Sequence, residues 1–340
     1  MRNRPWIGYP HGMHKQFCRA AALAIAGLLA SCGGPSGPVD GARAMAHVEK
    51  LVAFGPRPAG SEALGKAADY IAAELAALGL SVRRQEFTPP GERVLLRNLW
   101  TQIDGPDPAK GPILCIGAHY DTKLADGEQG RKAMRFLGAI DGAGGPAVLL
   151  ELARVLVREH KPTVNIWLYF IDGEESIDWD WGEGERALLG SRHFVKSMQA
   201  DKTLFPDGLK ARMKAFVLLD LIGSKDMKLD RDGNSSTDLQ DLLLDAAKEL
   251  GIEDRVYRYN ASRGFGDDHQ SFGNYGIPSV NLIDFMYRVP GDPLPPGKSY
   301  LQWWHTEDDC VSNMSADSLA LAGNLVVKAL PALERFCLPR

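Results

Sequence analysis

Thr163-Val164-Asn165-Ile166-Trp167-Leu168-Tyr169-Phe170-Ile171 runs straight into Asp172-Gly173-Glu174-Glu175. The first part is almost wholly apolar and rich in β-branched and aromatic side chains, which predicts a strand buried on both faces. Residues 112–118, 215–221 and 280–283 form similar apolar runs, and 81–87 and 95–103 read as two further strands. Between them, apolar positions recur at helical spacing over 42–54, 60–79, 147–158, 190–200, 239–250 and 316–336, with Gly251 a stop signal after the fifth. Buried strands alternating with helices predict an α/β fold, a three-layer α/β/α sandwich around a mainly parallel, mixed central sheet. With no repeat or second linker in view, residues 42–340 read as one domain. Long Gly/Pro-rich connections are expected at 124–135, 224–236 and 286–299.

The composition suits such a domain. The 340 residues are 45% hydrophobic and 24% charged with five Cys, which excludes collagenous, disordered and disulfide-scaffold classes. A net charge of −4 argues against nucleic acid as a partner. The charge is uneven, because residues 1–31 contain Arg2, Arg4, Lys15 and Arg19 and no acid. The remaining 35 basic and 43 acidic residues give the rest of the chain −8.

That basic opening leads into a short apolar run, 20–30, too short to span a bilayer, followed by small residues. This is the pattern of an export signal, whose start is either Met1 or Met13. Leu29-Ala30-Ser31-Cys32 resembles the bacterial lipobox. The resemblance implies a signal peptide over 1–31, acylation of Cys32, and a flexible tether over 32–41. The expected location is a bacterial membrane, on the periplasmic side of the outer membrane, with the lipid as anchor. Cys115 lies in an apolar strand pattern and reads as a buried residue, while pairing of Cys310 with Cys337 is left open by sequence.

Polar residues gather where the strands end: His119 and Asp121, Asp141, Asp172 with Glu174 and Glu175, Asp220, Asp267 with Asp268 and His269, and His305. Each alone has an ordinary explanation as a turn former or helix cap; Asp267 followed by Gln270 has capping-box spacing. Strand after strand ending in a carboxylate or imidazole is better explained by a site, because ligand crevices lie beyond the carboxyl ends of such strands. Mixed Asp, Glu and His without Cys suits catalytic zinc, and adjacent glutamates can divide the work between ligation and proton transfer.

The order His-x-Asp, Asp-Gly, Glu-Glu, Asp, Asp-His, His resembles the zinc aminopeptidase and glutaminyl cyclase superfamily over 42–337. Details closer to glutaminyl cyclases are Asp-Gly-Glu-Glu at 172–175 followed by Trp179 and Trp181, the 218–223 run Leu-Leu-Asp-Leu-Ile-Gly, and Trp304-His305-Thr306. Asp267 also stands where the aminopeptidases commonly have Ser. The resemblance implies Asp141, Glu175 and His305 as ligands of one Zn2+, with two left open. It implies Glu174 as the proton-transfer residue, with Asp220 and Asp267 as its carboxylate partners. Trp304, Trp181 and Phe265 would bind substrate, and His119 and Asp121 would be ligands of a second metal or supports behind the first. The implied activity is cyclisation of N-terminal glutamine on peptides to pyroglutamate, with a zinc aminopeptidase and a non-catalytic binding domain as alternatives. Asn281 departs from the pattern, standing where the cyclases carry His.

Overall fold

In a computed structural model of the chain, residues 37–180, 186–260, 264–285 and 303–339 are described. The expected signal, Cys32, the start of the tether, Trp181 and the 286–299 connection lie outside them.

The chain opens with α1 (Gly41–Ala53), capped by Asp40 accepting from the Ala42 and Arg43 amides, and α2 (Glu62–Ala77), capped by Ser61. Strands β1 (Val82–Phe87), β2 (Leu96–Ile103) and β3 (Ile113–His119) follow, then α3 (Gly145–Glu159) and β4 (Asn165–Ile171). Next come α4 (Leu189–Ala200), α5 (Leu209–Arg212), β5 (Met213–Asp220), β6 (Leu229–Arg231) and α6 (Thr237–Leu250). The last elements are β7 (Val256–Asn260), α7 (Asp268–Gly273), β8 (Ser279–Ile283) and α8 (Ala316–Cys337).

Six strands form one sheet in the order β1-β2-β4-β3-β5-β8. The β4–β3, β3–β5 and β5–β8 pairs are parallel, and β1–β2 and β2–β4 are antiparallel, as a mixed sheet requires. Pleating sends alternate residues to opposite faces. Leu114, Ile116, Ala118, Ile166, Leu168 and Phe170 meet α1, α2, α3, α6 and α8 on one face. On the other, Ile113, Cys115, Trp167 and Tyr169 meet the residues of α4, α5 and α7. That second core is aromatic, with Phe216 stacked on Phe272 at 3.8 Å and Tyr169 on Phe194 at 4.1 Å. The result is the three-layer sandwich.

One expectation is corrected. The 224–236 stretch is not a simple loop, because it carries β6, which pairs with β7 in a separate two-stranded parallel sheet. Leu229-Asp230-Arg231 is too short and too charged to register as an apolar run. Cys115, Cys310 and Cys337 are all buried, and no disulfide joins Cys310 to Cys337.

Candidate active site and metal centre

Because β3, β4 and β5 are parallel neighbours, the chain leaving each arrives at the same rim of the sheet. The strand order reverses between β3 and β5, since β4 lies on one side of β3 and β5 on the other. Such switch points open a crevice for ligands. His119 ends β3 and Asp220 ends β5, and His119 Nε2 lies 3.0 Å from Asp220 Oδ1 and 3.1 Å from Asp141 Oδ1.

Asp141 reaches this point through a turn at Ile140–Gly144 that departs from helical geometry, with φ −96° and ψ 95° at Asp141 and φ 97° at Gly142. A Cβ on Gly142 would stand 2.1 Å from the Asp121 carbonyl oxygen, so the position requires glycine for its close approach as well as its φ.

After β4 the chain enters Asp172-Gly173-Glu174-Glu175. Asp121 accepts the Glu174 amide on Oδ1 and the Glu175 amide on Oδ2, each at 3.2 Å. The two glutamate side chains then diverge. Glu174 Oε2 is 3.8 Å from His119 Nδ1, whereas Glu175 meets His305 Nε2 at 3.0 and 3.1 Å. Lys123, buried behind them, donates to the Ser176 and Asp178 carbonyls at 2.8 and 2.7 Å and lies 3.9 Å from Glu175 Oε2. His305 arrives on the loop before α8 with φ 53°, a left-handed backbone that costs an L residue about 1–2 kcal/mol. Trp304 stacks on its ring at 3.9 Å, and Phe136 and Trp179 present edges at 5.7 and 5.8 Å.

Among the described residues two donor groups result, His119–Asp141–Asp220 and Asp141–Glu175–His305, each with ligand atoms within 4.8 Å of one another and all residues buried. Asp141 belongs to both. Its Oδ2 is buried and accepts no hydrogen bond among the described residues, an arrangement that a protein rarely leaves unless something else meets the charge. Imidazole and carboxylate donors without sulfur match a catalytic zinc set, so the residues present fit a metal ion.

Burial dominates the electrostatics. It raises Asp141 to about 6 and Glu175 to about 8, and lifts Glu174 and Asp267 well above the ordinary carboxylate range. Glu175 adds to the burial effect at Asp141, and Asp220 and Asp268 add to it at Asp267. The same burial lowers His305 to about 3, leaving a neutral ring of the kind that ligates metals. Burial also opposes charge on His119, yet Glu174, Asp121, Asp141 and Asp220 together hold that ring well above its usual value. A cation entering the carboxylate set would relieve these strains together.

Asp267 is the N-cap of α7, accepting the Asp268 amide at 2.6 Å on Oδ1, while Oδ2 accepts from Asn281 Nδ2 at 2.5 Å. The capping role and the site role coincide, because the cap lies at the rim where Glu174 and Asp220 act on it electrostatically.

Residues 98–330 match Peptidase family M28. The chain belongs to this family. It is 30% identical over 233 residues to the glutaminyl-peptide cyclotransferase of Drosophila melanogaster, covering 61% of this chain and 58% of that one. The chain spans just over half the length of the first curated relatives it matches. A glutaminyl cyclase structure from an Acidobacteriales bacterium superposes with a TM-score of 0.74 at 28% identity, covering 91% of this chain and 99% of that one. A Zn-dependent exopeptidase from Parabacteroides distasonis shares the fold, with a TM-score of 0.72 at 24% identity, covering 86% of this chain and 98% of that one.

In this M28 chain the expected residues Asp141, Glu174, Glu175, Asp220, Asp267 and His305 converge, and His119 joins them. Asp121 is in neither donor group and instead holds the two glutamate amides. Phe265 is set back, its ring 4.8 Å from Phe285, which in turn abuts Trp304 at 5.5 Å. Sequence reasoning missed Asp309, which accepts the Ile140 and Asp141 amides at 2.6 and 3.1 Å. It also missed Lys123 and the fully buried Arg57. The position of Asp309, four residues beyond His305, was the one available signal.

Proposed function

We propose that this protein is a zinc-dependent glutaminyl-peptide cyclotransferase, converting N-terminal glutamine of peptides to pyroglutamate with release of ammonia. The observation that carries the reading is Glu174 turned away from Glu175 and set 3.8 Å from His119 Nδ1, at the rim that holds the Asp141–Glu175–His305 group, with Asp267 acting on it electrostatically. The likeness to the fly cyclotransferase and to the Acidobacteriales cyclase supports it.

Asp141, Glu175 and His305 would hold one zinc ion, which when bound polarises the γ-carbonyl of the glutamine. Glu174 takes a proton from the α-amine as that nitrogen forms its bond to Cδ, the carbonyl carbon of the side-chain amide. It returns a proton to the amide nitrogen as the C–N bond breaks and ammonia leaves. A carboxyl that burial has raised well above the usual glutamate value holds a proton more readily than an exposed one, which suits both halves of that exchange. Asp267, which burial and the neighbouring Asp220 carboxylate hold well above its usual value, receives the departing ammonia. Trp304 walls the crevice so that the side chain folds toward its own amine, and ring closure gains from that orientation.

The His119–Asp141–Asp220 group favours a second reading, a two-metal aminopeptidase in which Glu174 activates water. One experiment separates the two. Zinc content and ammonia release from a Gln-peptide are measured beside cleavage of a Leu-arylamide. Ammonia release with about one zinc per chain supports the cyclase, and arylamide cleavage without cyclisation overturns it. Glu174→Gln should abolish turnover with zinc retained, and Asp267→Ser should remove most cyclase activity.

We also infer export, with acylation of Cys32 anchoring the domain to a bacterial membrane. Cys32→Ser should release the protein into the soluble periplasmic fraction and abolish incorporation of a labelled fatty acid.

A further inference from the structure

Arg57 is fully buried, and every hydrogen bond its guanidinium makes among the described residues goes to a backbone carbonyl. Nε donates to Tyr120, Nη1 to Leu51, Gly55 and Leu137, and Nη2 to Gly138, at 2.8–3.3 Å. Its own amide donates to Thr122 Oγ1 at 2.8 Å, and its carbonyl accepts the Thr122 amide at 3.0 Å. One residue therefore ties the end of α1, both sides of Asp121, and the approach to Asp141, the guanidinium holding Tyr120 and the Arg57 backbone holding Thr122.

Asp309 grips the same approach with the opposite sign. It is also fully buried, and its two oxygens take the amides of Ile140 and Asp141. The 137–141 segment thus has two carbonyls held by a buried cation and two amides held by a buried anion. Asp309 rides on the loop that delivers His305, where its amide is bonded to the Thr306 carbonyl. Docking of Asp309 therefore fixes the His305 loop against the turn that carries Asp141. Asp309 favours the charge on Arg57 through space, with no hydrogen bond between the two side chains.

We propose that Arg57 and Asp309 are positioning residues that act through backbone to set Asp141 against His305, and so govern affinity for the metal ion. This rests on the reading of Asp141 and His305 as metal ligands. Removing one member leaves the other buried charge without its counterpart and frees one side of the segment. Groups placed behind metal ligands in this way tune binding as well as folding.

The test uses the full chain stripped of metal. Asp309→Asn keeps the shape but turns one acceptor into a donor facing an amide. Arg57→Lys keeps the charge but cannot reach four segments with one ammonium. Zinc affinity is measured by competition with a chelator, the visible spectrum of the Co2+-loaded protein reports ligand geometry, and circular dichroism reports the fold. Glu151→Gln, which disturbs a buried carboxylate paired with Arg43 and Arg154 on α3, controls for general destabilisation. The expected result is a loss of about 10- to 100-fold in zinc affinity with an altered Co2+ spectrum for Asp309→Asn and Arg57→Lys, and unchanged affinity for Glu151→Gln. Folded variants of both positions with wild-type affinity and spectrum would overturn the proposal. Should one variant not fold, the other decides. A wild-type chain that binds no zinc defeats the metal reading itself, and this inference with it.

Discussion

Asn281 Nδ2 donates to Asp267 Oδ2 across 2.5 Å, joining the middle of β8 to the cap of α7. Both residues are buried, and Asp268 occupies the other oxygen of Asp267 with its amide. An amide nitrogen can only donate, so this contact favours the ionised carboxylate, whereas burial and Asp220 favour the protonated one. The balance between them sets how readily Asp267 exchanges a proton with its surroundings.

Asn281→Leu should therefore impair turnover more than binding. Loss of one partner of a buried hydrogen bond costs about 1–3 kcal/mol, which as an effect on kcat/KM is about 5- to 150-fold. Asn281→Asp should be worse, because it sets a second carboxylate against Asp267. Steady-state kinetics on a Gln-peptide check both, and wild-type kcat in the leucine variant would remove Asn281 from the proton network.

Asp121 offers a different test, since its two oxygens hold two successive amides. Asn at this position keeps one acceptor and turns an NH2 toward an N–H, so one of the amides of Glu174 and Glu175 loses its partner. Asp121→Asn should lose about 1–3 kcal/mol of stability and retain less zinc. Urea denaturation and metal analysis on dialysed protein measure the two effects; unchanged stability and zinc content would show that Asp121 does not hold the glutamate pair.

Why the strands and most of the site were legible, and Arg57 and Asp309 were not, has a physical reason. Residues 163–171 and 112–118 announce themselves because a strand covered on both faces must be apolar almost throughout. His119, Glu174 and Glu175 stand out because they follow such strands immediately. Asp141 and Asp267 were visible in the strand-end pattern, but their roles came from the resemblance, since an Asp beside Gly or at a helix start is ordinary. Arg57 lies between two prolines and Asp309 follows Glu307 and Asp308, contexts that read as exposed. Their burial is produced by contacts with residues at least 60 positions away, 120, 137 and 138 for Arg57 and 140 and 141 for Asp309, which no local pattern encodes. β6 escaped for the related reason that its partner β7 comes 25 residues after it in the chain.

Trp304 lies flat on His305 at 3.9 Å with only 20° between the ring planes. Trp304→Ala removes that stacking contact, worth about 0.5–1.5 kcal/mol, and opens one wall of the crevice. A severalfold rise in KM for Gln-peptides should result, with a smaller change in kcat and zinc retained, because His305 keeps its contact to Glu175. Equal loss of kcat and of zinc would instead place Trp304 in support of the metal site.

Glu334 supplies a pH-dependent stability far from the catalytic rim. On α8 it pairs with His160 through Oε1, and Oε2 accepts both the amide and the hydroxyl of Thr163 at 2.6 Å. Burial alone would raise its pKa, but His160 and Thr163 outweigh burial and hold it below the usual glutamate value. A carboxylate depressed in the folded state binds fewer protons there than in the unfolded state. Its contribution is therefore complete above the ordinary glutamate pKa of about 4.3 and is lost as pH falls through the lower folded value. The stability gap between wild type and Glu334→Gln should accordingly be level above pH of about 5 and shrink as acid is added below about 4. Urea denaturation from neutral to acid pH measures the gap, while kcat/KM near neutrality should be unaffected. A gap that stays constant through the acid range would mean that Glu334 contributes shape and hydrogen bonds but no charge.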